Sequence, residues 1–230
     1  MKKVSIITRQ KSPRALVLPL FPRLIRLRFG SVRIYNTIRY EFNHIDAVKA
    51  AIDKLASKRI FEDNGVRTAE FSVAPSADLI PCLYKPRKLS QGRGIKFIDD
   101  VADLPSESNP NGFFERTIKI KREYRVHVID GRCVHVDAKK RKNGYQTSRM
   151  KNKANGYKFL EPKIKIPMDV VLQGVNAVRA LGLDFGAADV AFNGTHGYVL
   201  EVNTAMGLRT KTKAIYEREL TRMINKRLDQ

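Results

Sequence analysis

Three oxygen-bearing side chains near the end of the chain could together bind a divalent cation. Asp189 lies in one strand-like run, and Glu201 and Asn203 lie in the next, with the short loop 193–197 between them. If this loop closes symmetrically about Thr195, Asp189 faces Glu201 with Cβ atoms roughly 5 Å apart, and Asn203 shares the face of Glu201. Because opposed carboxylates repel one another, the pair calls for a cation.

Two carboxylates and an amide carbonyl are hard oxygen ligands, which suit Mg²⁺ held with help from substrate phosphates. We expect the neighbouring Val190, Leu200 and Val202 to be buried, which would keep the acids away from bulk solvent. The spacing leaves a second interpretation open, in which Lys or Arg side chains neutralise a surface acid pair. The chain has 44 Lys and Arg against 23 Asp and Glu, so such partners are plentiful.

A glycine-containing turn between two strand-like runs could bind phosphate. Lys85 ends the first run, and Leu89–Ile95 (Leu-Ser-Gln-Gly-Arg-Gly-Ile) leads into the second. Gly92 and Gly94 let backbone N–H groups approach an anion closely, and Arg93 adds positive charge. Walker A and Rossmann patterns are absent from the sequence. A Gly-Arg-Gly by itself is equally typical of an ordinary turn.

Hydrophobic spacing predicts the helices that position these groups. One helix is expected to open at Asn43 and stop at Gly65, and another to run from Met168 to Leu181 with a stop at Gly182. A charged amphipathic helix closes the chain. The apolar positions that define the first two helices are Ile45, Val48, Ile52, Leu55 and Ala56, and then Val171, Leu172, Val175 and Val178.

The strands are predicted from alternating patterns. Short strands are expected at 70–74, 81–85, 95–98 and 113–116, and Lys3–Thr8 is expected to open the chain as a strand. Two hairpins follow, one joining 123–129 to 132–138 through the type I′ turn pair Asp130-Gly131, and one spanning 186–203. Helices and short strands in this mixed order indicate an α+β fold.

The net charge of +21 is the unusual bulk property. Such a charge attracts polyanions such as nucleic acid, an acidic polymer or a phosphorylated substrate, although a basic enzyme with no such partner has the same composition. The first 40 residues hold ten Lys or Arg and no acid, and Lys139–Lys153 holds seven and no acid. No run approaches the ~20 apolar residues of a membrane span. Cys82 and Cys133 match no metal or redox spacing, so we expect a cytoplasmic protein without membrane contact.

Taken in order, these residues resemble the ATP-grasp superfamily over about residues 43–210. The most specific parts are Leu183–Val190 (Leu-Asp-Phe-Gly-Ala-Ala-Asp-Val) and Tyr198–Leu208 (Tyr-Val-Leu-Glu-Val-Asn-Thr-Ala-Met-Gly-Leu). The resemblance is closest to the ribosomal-protein-S6-modification and D-alanine-ligase-like branch and to short phage-encoded ATP-grasp proteins, which would place the chain in a host cytoplasm. It implies two α+β lobes with the nucleotide between them. The expected parts are a short basic N-terminal segment (1–42), a small lobe with the glycine loop (43–113) and a large lobe with the metal site (114–230).

The resemblance also implies roles for individual residues. Asp189, Glu201 and Asn203 would coordinate the Mg²⁺ ions, for which Mn²⁺ can substitute, that bridge ATP and a reacting carboxylate. The groups implied to neutralise the phosphates and an acyl phosphate are Arg125, Lys139 and Arg141. The residues implied to contact the nucleotide are Lys54, Lys85, Gln91, Gly92, Arg93, Gly94, Glu115, Arg116, Thr117, Ile118 and Glu123. No role is implied for His127 or His135, which are interpreted as ordinary hairpin residues.

The implied activity is ATP-dependent ligation of a carboxylate to an amine through an acyl phosphate. The carboxylate and the nucleophile are not identified by the sequence, nor is the oligomeric state; an acidic peptide or a nucleic acid would suit the charge. A basic nucleic-acid-binding protein with an ATP-grasp-like fold and no ligase activity is the main alternative. A kinase is disfavoured because Asp184-Phe185-Gly186 precedes a strand and no His-Arg-Asp loop is present. Intact metal ligands argue against an inactive scaffold.

Overall fold

The computed structural model describes residues 3–6, 16–19, 25–27 and 40–229. Most of the basic segment before residue 40, with its predictions, lies outside these residues. Of the predicted opening strand, Lys3–Ile6 is present as β1, which pairs antiparallel with β2 (Leu16–Pro19). β3 (Ile25–Leu27) pairs in parallel with β4 (Tyr40–Phe42).

The first predicted helix is two helices, α1 (Ile45–Ile52) and α2 (Lys54–Asp63). The prediction of a start at Asn43 is wrong, because Asn43 adopts a positive φ of 60° and its side chain bonds the backbone N–H and C=O of Phe185. The prediction of one continuous helix is also wrong. Asp53 leaves the helical conformation (ψ 103°), and its carboxylate accepts from two N–H groups of the first turn of α2.

The smaller sheet is antiparallel and has the order β5-β8-β6-β7. Its strands lie close to the predicted runs: β5 (Phe71–Ser72), β6 (Cys82–Pro86), β7 (Lys96–Ile98) and β8 (Gly112–Arg116). β8 spans the predicted lobe boundary at 113/114. Two short 3₁₀ turns, Ala77–Leu79 and Val101–Asp103, lie before β6 and after β7.

The larger sheet is also antiparallel, with the order β11-β10-β9-β12-β13. Its strands are β9 (Arg122–Ile129), β10 (Arg132–Arg141), β11 (Tyr157–Leu160), β12 (Phe185–Phe192) and β13 (Gly197–Asn203). Asp130 and Gly131 both have positive φ, 50° and 68°, as a type I′ turn requires. The two predicted hairpins are therefore confirmed, and so is the α+β class.

The two faces of the larger sheet are packed differently. One face carries Tyr124, Val126 and Val128, and α3 (Met168–Ala180) packs against it. The opposite face carries the charged side chains of the hairpins over most of its length. At one end of that face, α4 (Thr210–Leu228) covers an apolar patch that includes Phe185. The charged groups thus lie on a face that is closed at one end by α4.

The buried side of α3 agrees only in part with the prediction. Val178 is buried and Val175 packs against the core, but Leu172 is 51% exposed. The buried positions 170, 173, 174, 177 and 178 form one stripe along the helix, and Leu172 lies outside it. A Cβ atom placed on Gly174 would lie 2.6 Å from the Cβ of Val126, so the helix backbone approaches β9 unusually closely there.

The register of the second hairpin is as predicted at its open end and shifted near its loop. Asp189 pairs with Glu201 and Ala187 with Asn203, but Val190 pairs with Val199. Leu200 is therefore an extra residue of β13, a β-bulge, and is half-buried where the simple alternation predicted burial.

Two further observations concern the chain as a whole. Cys82 is buried and Cys133 half-buried, and both are free thiols. Within the described ranges, no helix combines the length and the hydropathy that crossing a bilayer requires.

Candidate active site

Four charged residues occupy directly opposed positions on neighbouring strands of the larger sheet. They are, from β10 to β13, Asp137, Arg125, Asp189 and Glu201. The adjacent row of the same face consists of His135, His127, Ala187 and Asn203. Since side chains two apart on a strand share a face, the predicted metal ligands and the predicted catalytic Arg125 lie on one surface.

Asp189 is engaged by Arg125 in a two-pronged ion pair. The Nε and Nη2 atoms of Arg125 lie 2.7 and 2.8 Å from the two carboxylate oxygens, and the guanidinium stacks 4.0 Å from the ring centroid of Phe159. Asp189 is 4% exposed. Burial disfavours the charged guanidinium, but the Asp189 carboxylate outweighs this effect and raises the pKa of Arg125. The expectation that Arg could neutralise the acid pair is therefore met at Asp189.

Glu201 is half-buried and has cationic neighbours. Asn203 Nδ2 lies 3.4 Å from Glu201 Oε1, so the two side chains share a face as predicted. Burial lowers the pKa of the Lys139 amine, and the charges of Asp189 and Glu201 oppose that shift. Burial also lowers the pKa of Lys54, where Glu201 opposes the shift and Lys85 adds to it. The charge of Glu201 therefore acts on the pKa of a lysine from α2 and of a lysine from β10.

These donors fit a hard divalent cation. Asp189, Glu201 and the carbonyl oxygen of Asn203 supply the oxygen ligands that Mg²⁺ prefers. Among the residues that the structure describes, no group of three His, Cys, Asp or Glu could hold a metal ion without other ligands. An ion at this place would accordingly need the Asn203 oxygen, a ligand or water, and it would compete with Arg125 for Asp189.

Lys139 and Arg141 follow one another on the same face of β10 but differ in position. Lys139 donates to the buried carboxylate of Glu123, and its ammonium lies 4.9 Å from the ring centroid of Phe159. Arg141 is exposed and donates to Thr147 in the loop that follows β10. The structure thus places Lys139 beside the row formed by Asp137, Arg125, Asp189 and Glu201, whereas Arg141 lies farther along β10.

A pocket of about 260 Å³ opens beside Lys139. Four of its nine lining residues are cationic; the lining comprises Arg122, Glu123, Tyr124, Ala138, Lys139, Lys140, Pro162, Lys163 and Ile164. A second hollow, of about 450 Å³, lies against the start of the glycine loop and is lined by Tyr84, Pro86, Arg87, Lys88, Leu89 and Asn111. Both hollows therefore border segments predicted to contact ATP.

Lys85 and Glu115 lie on paired strands of the smaller sheet and contact each other. Lys85 Nζ is 2.5 Å from Glu115 Oε1, and Lys58 Nζ of α2 is 2.6 Å from Glu115 Oε2. Burial would raise the pKa of Glu115, but the two lysines outweigh it and lower that pKa. The sequence did not single out Lys58, since a helical lysine is ordinarily solvated.

The glycine loop connects β6 to β7 within the smaller sheet and contacts α2 and the loop between β10 and β11. Its residues Gln91, Gly92 and Gly94 have positive φ of 62°, 78° and 71°. Lys54 Nζ donates to Leu89 O over 2.5 Å, which ties the start of the loop to α2. Asn152 Nδ2, from the loop between β10 and β11, donates to Gln91 O over 3.0 Å. Arg93 is exposed and bonds only within the loop, to Ser90 O at 3.3 Å, among the described contacts.

Arg116, Thr117 and Ile118, which follow Glu115, were also predicted to contact the nucleotide. Arg116 points to the smaller sheet, with its Nε 2.6 Å from Glu70 and its Nη2 2.6 Å from Asp78 O. Thr117 N–H donates to Pro81 O over 2.8 Å, and Ile118 is half-buried. Within the described chain the buried hydroxyl of Thr117 has no hydrogen-bond partner.

A buried polar network adjoins the charged row and was not identified from the sequence. Asp137 accepts from Arg209 and lies 3.2 Å from His135 Nε2 and 3.5 Å from His127 Nε2. His127 Nδ1 lies 3.1 Å from the Tyr216 hydroxyl of α4. The two histidines, interpreted as ordinary hairpin residues, therefore join the charged row to α4. The alternation of polar residues along β9 and β10 is the signal that could have located them.

Comparison with known proteins identifies the relatives of this arrangement. No protein-family model matches the chain. A D-alanine--D-alanine ligase from Pediococcus pentosaceus is 26% identical over 192 residues, which is 75% of this chain and 54% of the relative. The chain thus spans about half the length of the curated relative that it matches.

Solved structures show the same architecture. A D-alanine--D-alanine ligase from Bacillus anthracis complexed with ATP superposes with a TM-score of 0.60 at 18% identity, covering 82% of this chain and 68% of that one. The ATP-grasp ligase PsnB complexed with minimal precursor, Mg and ADP gives 0.54 at 19% identity, covering 74% and 55%. The chain therefore has the ATP-grasp fold, and its sequence is similar to those of D-alanine--D-alanine ligases.

Proposed function

We propose that the chain is an ATP-dependent carboxylate–amine ligase that acts through an acyl phosphate, with Mg-ATP bound between its two sheets. The observation that carries the proposal is the register that sets Asp189 opposite Glu201, on a face where a lysine from α2 and a lysine from β10 interact with the acids. A site that joins an anionic carboxylate to an anionic phosphate needs acids for a metal and bases for the phosphates side by side.

Different residues are proposed to bind the metal ion, the phosphates and the adenine. Asp189, Glu201 and Asn203 would hold Mg²⁺ or Mn²⁺, which when bound offsets the repulsion between the γ-phosphate and the carboxylate. Lys85 and Lys139 present ammonium groups from opposite sheets, and glycine-loop N–H groups from Gln91 to Gly94 present donors to phosphate oxygens. The backbone of Thr117 and Ile118, which directly follows β8, would contact the adenine.

The proposed reaction has two steps, formation of the acyl phosphate and attack by the amine. A carboxylate oxygen attacks the γ-phosphorus, the bond to the β,γ-bridging oxygen breaks, and ADP leaves with that electron pair. The amine then attacks the acyl carbon, an amide forms, and inorganic phosphate and one proton leave. Arg125 and Lys139 would stabilise the negative charge on the acyl phosphate between these steps.

The relatives support this chemistry without fixing the substrate. D-alanine--D-alanine ligase and PsnB are ligases by name, and structures of the two hold ATP in one case and Mg with ADP in the other. Because the chain spans about half of the curated relative, its carboxylate and its nucleophile are not transferred from these proteins. The resemblance to phage-encoded proteins stays a prediction.

The distribution of charge supports a polyanionic substrate, either an acidic peptide or a nucleic acid. Residues 118–165 hold 15 Lys or Arg and 4 Asp or Glu, whereas 41–117 and 166–229 together hold 19 of each. The excess charge of residues 41–229 thus lies within residues 118–165, the segment that supplies every residue lining the pocket beside Lys139. A substrate bound there would be held by its charges next to the proposed site of phosphoryl transfer.

The test is a screen for ADP release with product masses measured by mass spectrometry. Single amino acids, acidic peptides and oligonucleotides are supplied with Mg-ATP to the wild-type chain and to Glu201→Gln. The proposal expects ADP release that depends on one substrate class, a product heavier by the ligated group, and loss of turnover in Glu201→Gln with an unchanged circular dichroism spectrum. Retained ADP release in Glu201→Gln would contradict the metal assignment.

The charge excess of residues 118–165 also favours a second candidate, a nucleic-acid-binding protein without ligase activity. Exposed aromatic residues that could stack on bases are few in the basic stretch, chiefly Tyr145, which weighs against single-strand binding. Salt-sensitive binding of DNA or RNA with no ADP release under any condition would decide for this candidate.

A further inference from the structure

Lys58 is a lysine buried in the middle of the protein. It is 1% exposed, on the face of α2 that turns toward both sheets. Lysine is almost never fully buried unless it is paired, because its ammonium group loses its hydration. Burial accordingly lowers the pKa of Lys58, and the carboxylate of Glu115 opposes that shift. An apolar side chain at this position would avoid the loss of hydration, so a role in packing alone does not explain a lysine here.

The partners of Lys58 form a continuous chain between the two sheets. Lys58 Nζ contacts Glu115 Oε2 and donates to Thr68 Oγ1, and Thr68 in turn donates to Val199 O over 3.1 Å. Val199 also donates its N–H to Arg67 O over 2.8 Å. Because Val199 precedes the bulge of β13, the chain reaches the strand that carries Glu201, only two residues away.

The charges of the cluster do not balance. Glu115 is shared by Lys58 and Lys85, so two ammonium groups meet one carboxylate, and one positive charge remains. The side chains of Lys58 and Glu115 are each 2% exposed, whereas that of Lys85 is 12% exposed. The surplus charge therefore faces outward at Lys85, the end of the cluster that a bound anion can reach.

We propose that Lys58 is a positioning residue. Its ammonium neutralises the buried carboxylate of Glu115, which leaves the positive charge of Lys85 available to nucleotide phosphate. This inference rests on the proposed function, since it concerns the nucleotide site. Without Lys58, the buried Glu115 carboxylate would have Lys85 as its only cationic partner within the cluster. Lys85 would then be held as a neutral pair and would attract phosphate weakly.

The experiment compares calorimetric titrations with Mg-ADP and with adenosine, which lacks phosphate. Lys58→Met removes the ammonium while keeping the length of the side chain, and Lys58→Arg keeps a positive charge at the same position. The inference expects Lys58→Met to weaken Mg-ADP binding at least tenfold and adenosine binding less than threefold, because only phosphate interacts with the charge of Lys85. It expects Lys58→Arg to lose less Mg-ADP affinity than Lys58→Met.

A purely structural role for Lys58 predicts a different pattern, in which Lys58→Met weakens Mg-ADP and adenosine binding by the same factor. That result would overturn the inference, and so would Mg-ADP binding by Lys58→Met within threefold of the wild type. If Lys58→Met does not fold, as judged by circular dichroism, Lys58→Gln replaces it, because Gln also removes the charge but can still hydrogen-bond. The same two outcomes then support or overturn the inference.

The same titration separates this inference from the proposed function. A wild-type chain that binds no Mg-ADP would contradict the proposed function. A wild-type chain that binds it, with a Lys58→Met variant that binds equally well, would contradict the role of Lys58 alone.

Discussion

Asp189 and Glu201 face each other across β12 and β13, immediately beside a β-bulge that adds Leu200 to β13. Asp189 is paired with Arg125 from the neighbouring strand, whereas Glu201 has no comparable ion pair among the described residues. The two acids are therefore in different states: one is held by an internal cation, and the other is available to an external one. This difference leads to predictions for each of them.

Removal of the Arg125 side chain should leave Asp189 as an uncompensated buried carboxylate. We expect Arg125→Met to lower the free energy of unfolding by roughly 3–5 kcal/mol, the usual cost of breaking a buried ion pair from one side. Mg-ADP should restore part of the loss, because a bound cation replaces the missing charge. Urea denaturation with and without Mg-ADP measures both effects.

Arg125→Lys is the matched control for that experiment. It keeps the charge but loses the two-pronged geometry, so its stability should fall between those of the wild type and Arg125→Met. A change of less than about 1 kcal/mol in Arg125→Met would show that Asp189 does not depend on Arg125.

Gly174 should be intolerant of a side chain although it lies inside a helix. Alanine usually stabilises a helix interior by up to about 1 kcal/mol relative to glycine. Here the added Cβ would meet Val126 Cβ at 2.6 Å, so we expect Gly174→Ala to destabilise the protein by about 1–3 kcal/mol. Thermal unfolding measures the change. Gly174→Ala/Val126→Gly, which removes the Cβ of Val126, should be less destabilised than the sum of its single variants, and strict additivity would argue against the close contact.

Asp137 should make the stability of the protein depend on pH in the acid range. Burial would raise its pKa, but His127, His135 and Arg209 outweigh burial and hold the pKa of Asp137 well below its usual range. Because the pKa is near 4 in the unfolded chain, the unfolded state binds more protons below that pH. The stabilisation by Asp137 is therefore fully present above about pH 4 and is lost as the pH falls further.

Asp137→Asn tests this expectation by chemical denaturation at several pH values. The variant should be less stable than the wild type by roughly 3–5 kcal/mol at pH 7, and the difference should shrink as the pH falls below 4. A stability difference that is the same at pH 7 and pH 3 would show that the loss comes from packing and not from the charge of Asp137.

The sequence predicted the parts of the site that depend on strand alternation. The pairing of Asp189 with Glu201 follows from period two and a short loop, and the Asp130-Gly131 turn follows from the conformations these residues favour. The bulge at Leu200 could not be foreseen, because an extra residue leaves no mark in a pattern of alternating apolar side chains.

Other features depend on tertiary contacts that no local pattern records. Leu172 was expected on the buried side of α3, but the side that faces the sheet is set by Val170, Gly174 and Ala177, and Leu172 is exposed. Lys58 has the spacing of an ordinary helical lysine, and it is buried only because Glu115 and Thr68 lie opposite it in the folded chain. The charge of such a residue becomes informative only when its partners are known.

The measurement closest to the central claim is a titration of Mn²⁺ in the presence of ADP, followed by electron paramagnetic resonance, with Mn²⁺ standing in for Mg²⁺. The account predicts that the wild-type chain binds Mn²⁺ only when ADP is present and that Glu201→Gln weakens this binding at least tenfold while remaining folded. Equal binding of Mn²⁺ by the wild type and by Glu201→Gln would contradict the assignment of Asp189, Glu201 and Asn203 as the metal site.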